Sequence, residues 1–175
     1  MGNRDIFKSI AGPYAGADSG ATAVEFALIA PAFFALLYAI LQTSLIFFAQ
    51  QALQSATTQA SRLVMTGQAQ SQSMTAAQFK SAVCTAATSL FNCSNLYVNM
   101  QTFTSFSSIA MLNPVSGGTF NSGSMSYNPG SAGDVVVVQV FYQWPVWPGP
   151  LGFNMSNMNG NTRVIVGTAA FRNEP

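Results

Sequence analysis

The chain has 175 residues, enough for one compact domain with an appendage. Only 6% of them are charged, the net charge is +1, histidine is absent and the five acids are scattered. That composition excludes a basic nucleic-acid-binding surface and argues against an acid-base, metal-assisted or nucleophilic enzyme, so neither a catalytic residue nor a cofactor is expected.

From Phe26 to Ala49 the sequence carries no charge and is dense in Phe, Leu, Ile and Ala, and about twenty such residues suffice to cross a bilayer. A secretory signal would have a shorter apolar core, about 7–15 residues, and a small-residue cleavage site that "FFAQQALQ" does not supply. The segment 26–49 is therefore expected to stay attached as a transmembrane helix. Arg4 and Lys8 precede it and Arg62 is the first basic residue after it, which favours an N-terminus on the cytoplasmic side.

Beyond Ala49, Ala52, Leu53, Ala56, Ala60, Leu63 and Val64 recur at spacings of three and four, with Gln50, Gln54, Thr58 and Arg62 between them. This is one narrow apolar stripe on a polar helix. Gly67 has the form of a C-cap, so a single helix is expected from about Thr22 to about Thr66, about 65–70 Å long.

Glu25 is the one charge at the head of the apolar run. Thr22-x-x-Glu25 has the spacing of a capping box, and a carboxylate in the first turn also meets the positive end of the helix dipole. A second reading starts from Gly20, which small residues surround: a cut after it would make Ala21 the new N-terminus and Glu25 the fifth residue. Gly20 followed by Ala21-Thr22-Ala23-Val24-Glu25-Phe26 resembles the processing motif of type IV pilin-like precursors, and "GATAVEFALIAP", the "QQALQSATTQASR" continuation and the closing "TAAFRNEP" resemble the TadE-like pseudopilins of the Tad (Flp-type) pilus.

The resemblance implies a hydrophilic leader over 1–20, removed between Gly20 and Ala21 by an aspartic prepilin peptidase for which the chain is a substrate. It implies assembly through the N-terminal helix with other pilin-like subunits (TadF-like, TadG-like and the major Flp pilin), with Ala21, Glu25, Phe26 and Pro31 in the assembling segment. The new Ala21 amine and a neighbour's Glu25 carboxylate would compensate each other in a low-dielectric setting, favouring one axial stagger of the helices. Pro31 frees the Ala27 carbonyl and allows a bend, with or without a part in leaving the bilayer. Two other readings stay open: an unprocessed, membrane-anchored TadG-type assembly factor, and a tethered module that binds a surface ligand.

Outside the span, 68–74 is polar and unpatterned and reads as a linker before a periplasmic domain over 75–175. Thr75-x-x-Gln78 is a capping box for a second helix with Phe79, Val83, Ala86, Ala87 and Leu90 on one face. A Cys84–Cys93 disulfide fits an oxidising compartment, and it requires that helix to break near Leu90–Asn92, because nine residues of helix would hold the cysteines about 13 Å apart. Strands are expected at Leu96–Phe103, Asp134–Trp144 and Thr162–Phe171.

The Gly/Ser/Asn-rich stretch Asn113–Gly133 reads as a mobile or partner-contacting loop. "WPVWPGPLGF", Trp144 to Phe153, is either a partner-binding knuckle presenting Trp144 and Trp147 or a proline-fixed connection whose tryptophans fill the core. The expected class is α+β and pilin-like: a long N-terminal helix, a second helix and a small antiparallel sheet of about three strands, at the bacterial inner membrane.

Overall fold

A computed structural model describes residues 20–87 and 90–174. Helix α1 runs unbroken from Ala21 to Met65, 45 residues, or about 67 Å at 1.5 Å per residue. It ends where expected: Gly67 takes a left-handed φ of +74° and its N–H donates to the Val64 carbonyl at 3.1 Å.

The stretch read as a linker forms one helical turn, α2, Gln68–Ser71. Ala69 is buried in it, and the Gln70 side-chain amide donates to the Pro129 carbonyl at 2.9 Å, so the segment is fastened to the domain and does not hang free. Helix α3, Ala76–Ala86, opens on the expected capping box: the Gln78 N–H donates to Thr75 Oγ1 and the Thr75 N–H to Gln78 Oε1, at 3.3 and 2.8 Å. It stops at Ala86, before the Leu90–Asn92 break that was expected. Cys84 and Cys93 are thereby brought to a Cα separation of 5.8 Å and are disulfide-bonded.

Strands β1 (Leu96–Phe103), β4 (Val135–Pro145) and β5 (Thr162–Arg172) form an antiparallel sheet in the order β1-β4-β5. Each lies within a residue of its expected bounds. Val136, Val138, Val140 and Tyr142 of β4 face α1 and α3, meeting Leu53, Val64, Phe79 and Val83 in one core. The opposite face is covered too. Strands β2 (Val115–Ser116) and β3 (Thr119–Phe120) make a small hairpin, and Phe120 packs on Tyr97 and Phe141 with ring centroids 4.7 and 6.3 Å away.

Gln139 donates to and accepts from the Leu112 backbone, at 3.1 and 3.0 Å, and bonds Asn99 at 3.2 Å. The stretch Asn113–Gly133, expected to be a mobile or partner-contacting loop, is thus held to the sheet through Phe120, while most of its residues are exposed. Burial on both faces is why β4 is apolar almost throughout and does not alternate.

The outer edge of β5 lies against α1. Gly167 sits where an added Cβ would come within 2.9 Å of the Leu53 carbonyl oxygen, so glycine permits the close approach. Gln54 mimics a neighbouring strand: its amide accepts from the Thr168 N–H at 2.9 Å and donates to the Thr168 carbonyl at 2.8 Å, and Gln50 donates to the Val166 carbonyl. These side chains occupy backbone groups that an open edge would leave available to another strand.

Candidate functional site

The N-terminal turn of α1 is the first candidate region. Gly20 is exposed, nothing lies within 4 Å of where its Cβ would be, and Ala21 is the first helical residue. Helix growth from Ala21 puts Thr22 and Glu25 inside the helix, so the capping box expected of them does not form: there is no side-chain cap hydrogen bond and no acid in the first turn. Glu25 is exposed and makes no hydrogen bond or ion pair among the described residues. It lies one turn from Ala21 on the same face, about 6 Å along the axis.

Phe26 is exposed on the same turn, and Pro31 sits inside an uninterrupted helix. Val24, Phe26, Leu28, Ile29, Phe33 and Phe34 leave more than half of their surface open, Leu28 reaching 75%, and they are distributed around the helix rather than along one stripe. A helix this long and apolar, with most of its apolar residues exposed, is compatible with a single-pass membrane anchor. Residues 1–19, on which the expected leader and the basic residues Arg4 and Lys8 fall, lie outside the described residues.

The second region joins the Trp-Pro loop to the middle of α1. Trp144 is half-buried and packs on Phe91 and Tyr142, with centroids 6.1 Å from each, whereas Trp147 is 63% exposed. One tryptophan completes the domain's core and the other does not. The Tyr38 hydroxyl donates to the Trp147 carbonyl, which pins the loop to the helix within the expected span.

Between them lies an apolar cleft of about 210 Å³, lined by Tyr38, Leu41, Gln42, Leu45, Trp144 and Trp147. Gln42 is only 6% exposed, and its amide has no hydrogen-bond partner among the described residues. Sequence reading passed over Tyr38 and Gln42. Their signal was there: in Phe26–Gln42 they are the only side chains with hydrogen-bonding groups, and they stand four apart on one helix face.

Among the described residues no three His, Cys, Asp or Glu side chains gather as a metal site would require. The two regions lie at different heights on α1, and the Cys84–Cys93 bridge belongs to neither; it ties the end of α3 to the start of β1.

No curated protein and no solved structure matches the chain. Residues 20–62, from the Gly20–Ala21 junction through the packed half of α1, match the family model described as TadE-like protein, the family that the N-terminal residues resemble.

Proposed function

We propose that this chain is a TadE-like minor pseudopilin of the Tad (Flp-type) pilus, made as a single-pass inner-membrane precursor and cut between Gly20 and Ala21 by a prepilin peptidase. The observation that carries the reading is Glu25. With no cap to make and no partner among the described residues, its carboxylate stands one turn inside the helix, at the head of an exposed apolar run that carries no charge from Phe26 to Ala49. A charge left unpaired there costs up to about 2.5–3.5 kcal/mol at full depth, so an external partner stabilises it.

The amine released on Ala21 is that partner when helices of adjacent subunits pack side by side, and the pair then sets the axial stagger of pilin-like helices. The match over residues 20–62 supports the same reading, because it begins at the proposed cleavage site. TadF-like, TadG-like and major Flp pilin subunits are the proposed partners, with the domain after Gly67 in the periplasm.

N-terminal sequencing of the chain co-expressed with the peptidase tests processing: Ala21 is expected as the first residue, and an intact Met1 sinks the precursor reading and favours the unprocessed TadG-type factor. Glu25→Gln tests assembly. It removes the charge and no cap, so cleavage and membrane insertion persist while pilus assembly is lost; normal assembly refutes the ion pair. Loss of adhesion with normal assembly in Trp144→Ala/Trp147→Ala is the outcome that favours a tethered binding module.

A further inference from the structure

We propose that the loop Pro145–Phe153 enters the lipid bilayer beside α1, as a second and shallow membrane contact on the domain's side; this rests on the reading of α1 as a membrane anchor. Geometry sets the depth. The hydrocarbon core is about 30 Å thick, or about twenty residues of helix. From Ala21 to Leu41 the helix is almost wholly exposed and apolar, and from Gln42 onward one face packs steadily on the domain. The shallowest placement of the bilayer thus ends near Leu41.

The loop reaches past that point. Its Trp147 carbonyl is held by Tyr38, and Pro150–Phe153 line a shared open groove with Ala32, Ala35, Leu36 and Ala39. At 1.5 Å per residue these positions lie about 3–14 Å inside the hydrocarbon boundary, a range that brackets the depth at which interfacial apolar elements sit. Any higher placement of the bilayer sinks the loop further.

Its chemistry suits that depth. No charge occurs between Asp134 and Arg163. Pro145, Pro148 and Pro150 have no N–H to desolvate, and the N–H groups of Val146, Gly149 and Phe153 donate to the Asn161, Phe153 and Pro150 carbonyls at 2.8, 2.7 and 3.2 Å. Leu151 is 90% exposed and held at a φ of +58°, a conformation that leucine rarely adopts and that the domain's core does not explain. It continues the exposed apolar surface of α1, and Trp147 sits where tryptophans gather at membrane interfaces. The loop also walls off the Gln42 amide, which would otherwise face lipid.

The test uses the full chain in phosphatidylcholine vesicles with brominated acyl chains, which quench nearby tryptophan, and acrylamide, which quenches from water. Trp144→Phe leaves Trp147 as the sole reporter. Leu151→Trp and, as a reference within the helix, Phe33→Trp are each made with both native tryptophans changed to Phe. Loss of emission to brominated lipid and shielding from acrylamide are expected for Trp147, for Leu151→Trp and for Phe33→Trp.

If Phe33→Trp is lipid-quenched while both loop reporters answer only to acrylamide, the loop proposal is overturned and the anchor stands. If Phe33→Trp also answers only to acrylamide, the anchor reading fails and takes the proposal with it. Shielding of the loop from both quenchers that grows with the protein-to-lipid ratio means that a second copy covers it, which likewise overturns the proposal. Leu151, the most exposed of these side chains, is the substitution that least disturbs folding.

Discussion

Gly167→Ala probes the contact that fixes the sheet to the helix. The new Cβ would stand 2.9 Å from the Leu53 carbonyl oxygen, with Thr57 Oγ1 nearer still. Neither neighbour yields easily: Leu53 and Thr57 are fully buried, and the Thr57 hydroxyl is held by its bond to the Leu53 carbonyl at 2.8 Å. Restoring ordinary contact distances moves β5 and α1 apart by about 0.5–1 Å, an overpacking that costs about 1–3 kcal/mol.

The same movement stretches the Gln54–Thr168 hydrogen bonds, each contributing about 0.5–1.5 kcal/mol. Against this, replacing a strand glycine recovers about 0.5–1 kcal/mol of backbone entropy. The net expectation is a loss of about 1–3 kcal/mol, read by urea unfolding of the full chain in detergent. Thr57→Ala in the same background removes the hydroxyl but leaves the Leu53 carbonyl, so the double variant regains only part of the loss. A Gly167→Ala chain as stable as the parent would show that backbone entropy outweighs the steric term and that the close approach is not a constraint.

Three further outcomes follow from the same packing. Gln54→Ala leaves the Thr168 N–H and carbonyl without their partners, at about 1–3 kcal/mol, and should speed hydrogen exchange at the Thr168 amide; unchanged exchange would mean the edge is covered by other means. Cys84→Ser/Cys93→Ser opens a loop whose closure contributes about 2.6 kcal/mol in the chain-entropy model, and the unfolding midpoint should fall accordingly. Burial raises the pKa of the Tyr127 phenol above its ordinary value of 10.0, and its hydroxyl has no hydrogen-bond partner among the described residues. Its stabilising contribution is therefore intact below about pH 10 and is lost as pH rises through the raised value; Tyr127→Phe should flatten that alkaline loss and leave stability near neutral pH unchanged or higher.

Strong local signals were legible in the sequence. The α1 stripe, the Thr75–Gln78 box, the β-branched run of β4 and the cysteine spacing each state their own geometry. What could not be read depends on contacts between distant segments. Glutamines at 50 and 54 look like solvent-facing helix residues until β5 arrives beside them. The Asn113–Gly133 stretch has a loop's composition, and only the folded domain gives its aromatics something to cover: Phe120 meets Phe141 on the second face of β4, and Tyr127 meets Phe79 of α3 beside the helix-side core. At Thr22–Glu25 the pattern was real but shifted: the helix begins at Ala21, and a capping box fails when its first residue is already helical.

On the proposed reading the one helix serves two environments, and its exposure changes where they meet. Up to Leu41 the apolar side chains are exposed on most faces, suited to lipid; beyond it one face, with Ile46, Ala49, Leu53, Ala56, Thr57, Ala60 and Val64, is buried on the domain, and β5 approaches at Gly167 against Leu53 and Thr57. Because α1 continues unbroken between these halves, the height of the domain is tied to the height of Glu25. Slipping one helix by a turn against its neighbour would separate the proposed ion pair and also displace the whole domain by about 5.4 Å, setting its loops against the wrong neighbours. Pro31, which withdraws the hydrogen bond to the Ala27 carbonyl, lies between Glu25 and the domain and is where the helix bends most cheaply. On the proposed reading, a single carboxylate near the N-terminus would thus govern the axial placement of a domain tens of ångströms away, with Pro31 as the place where that coupling has some play.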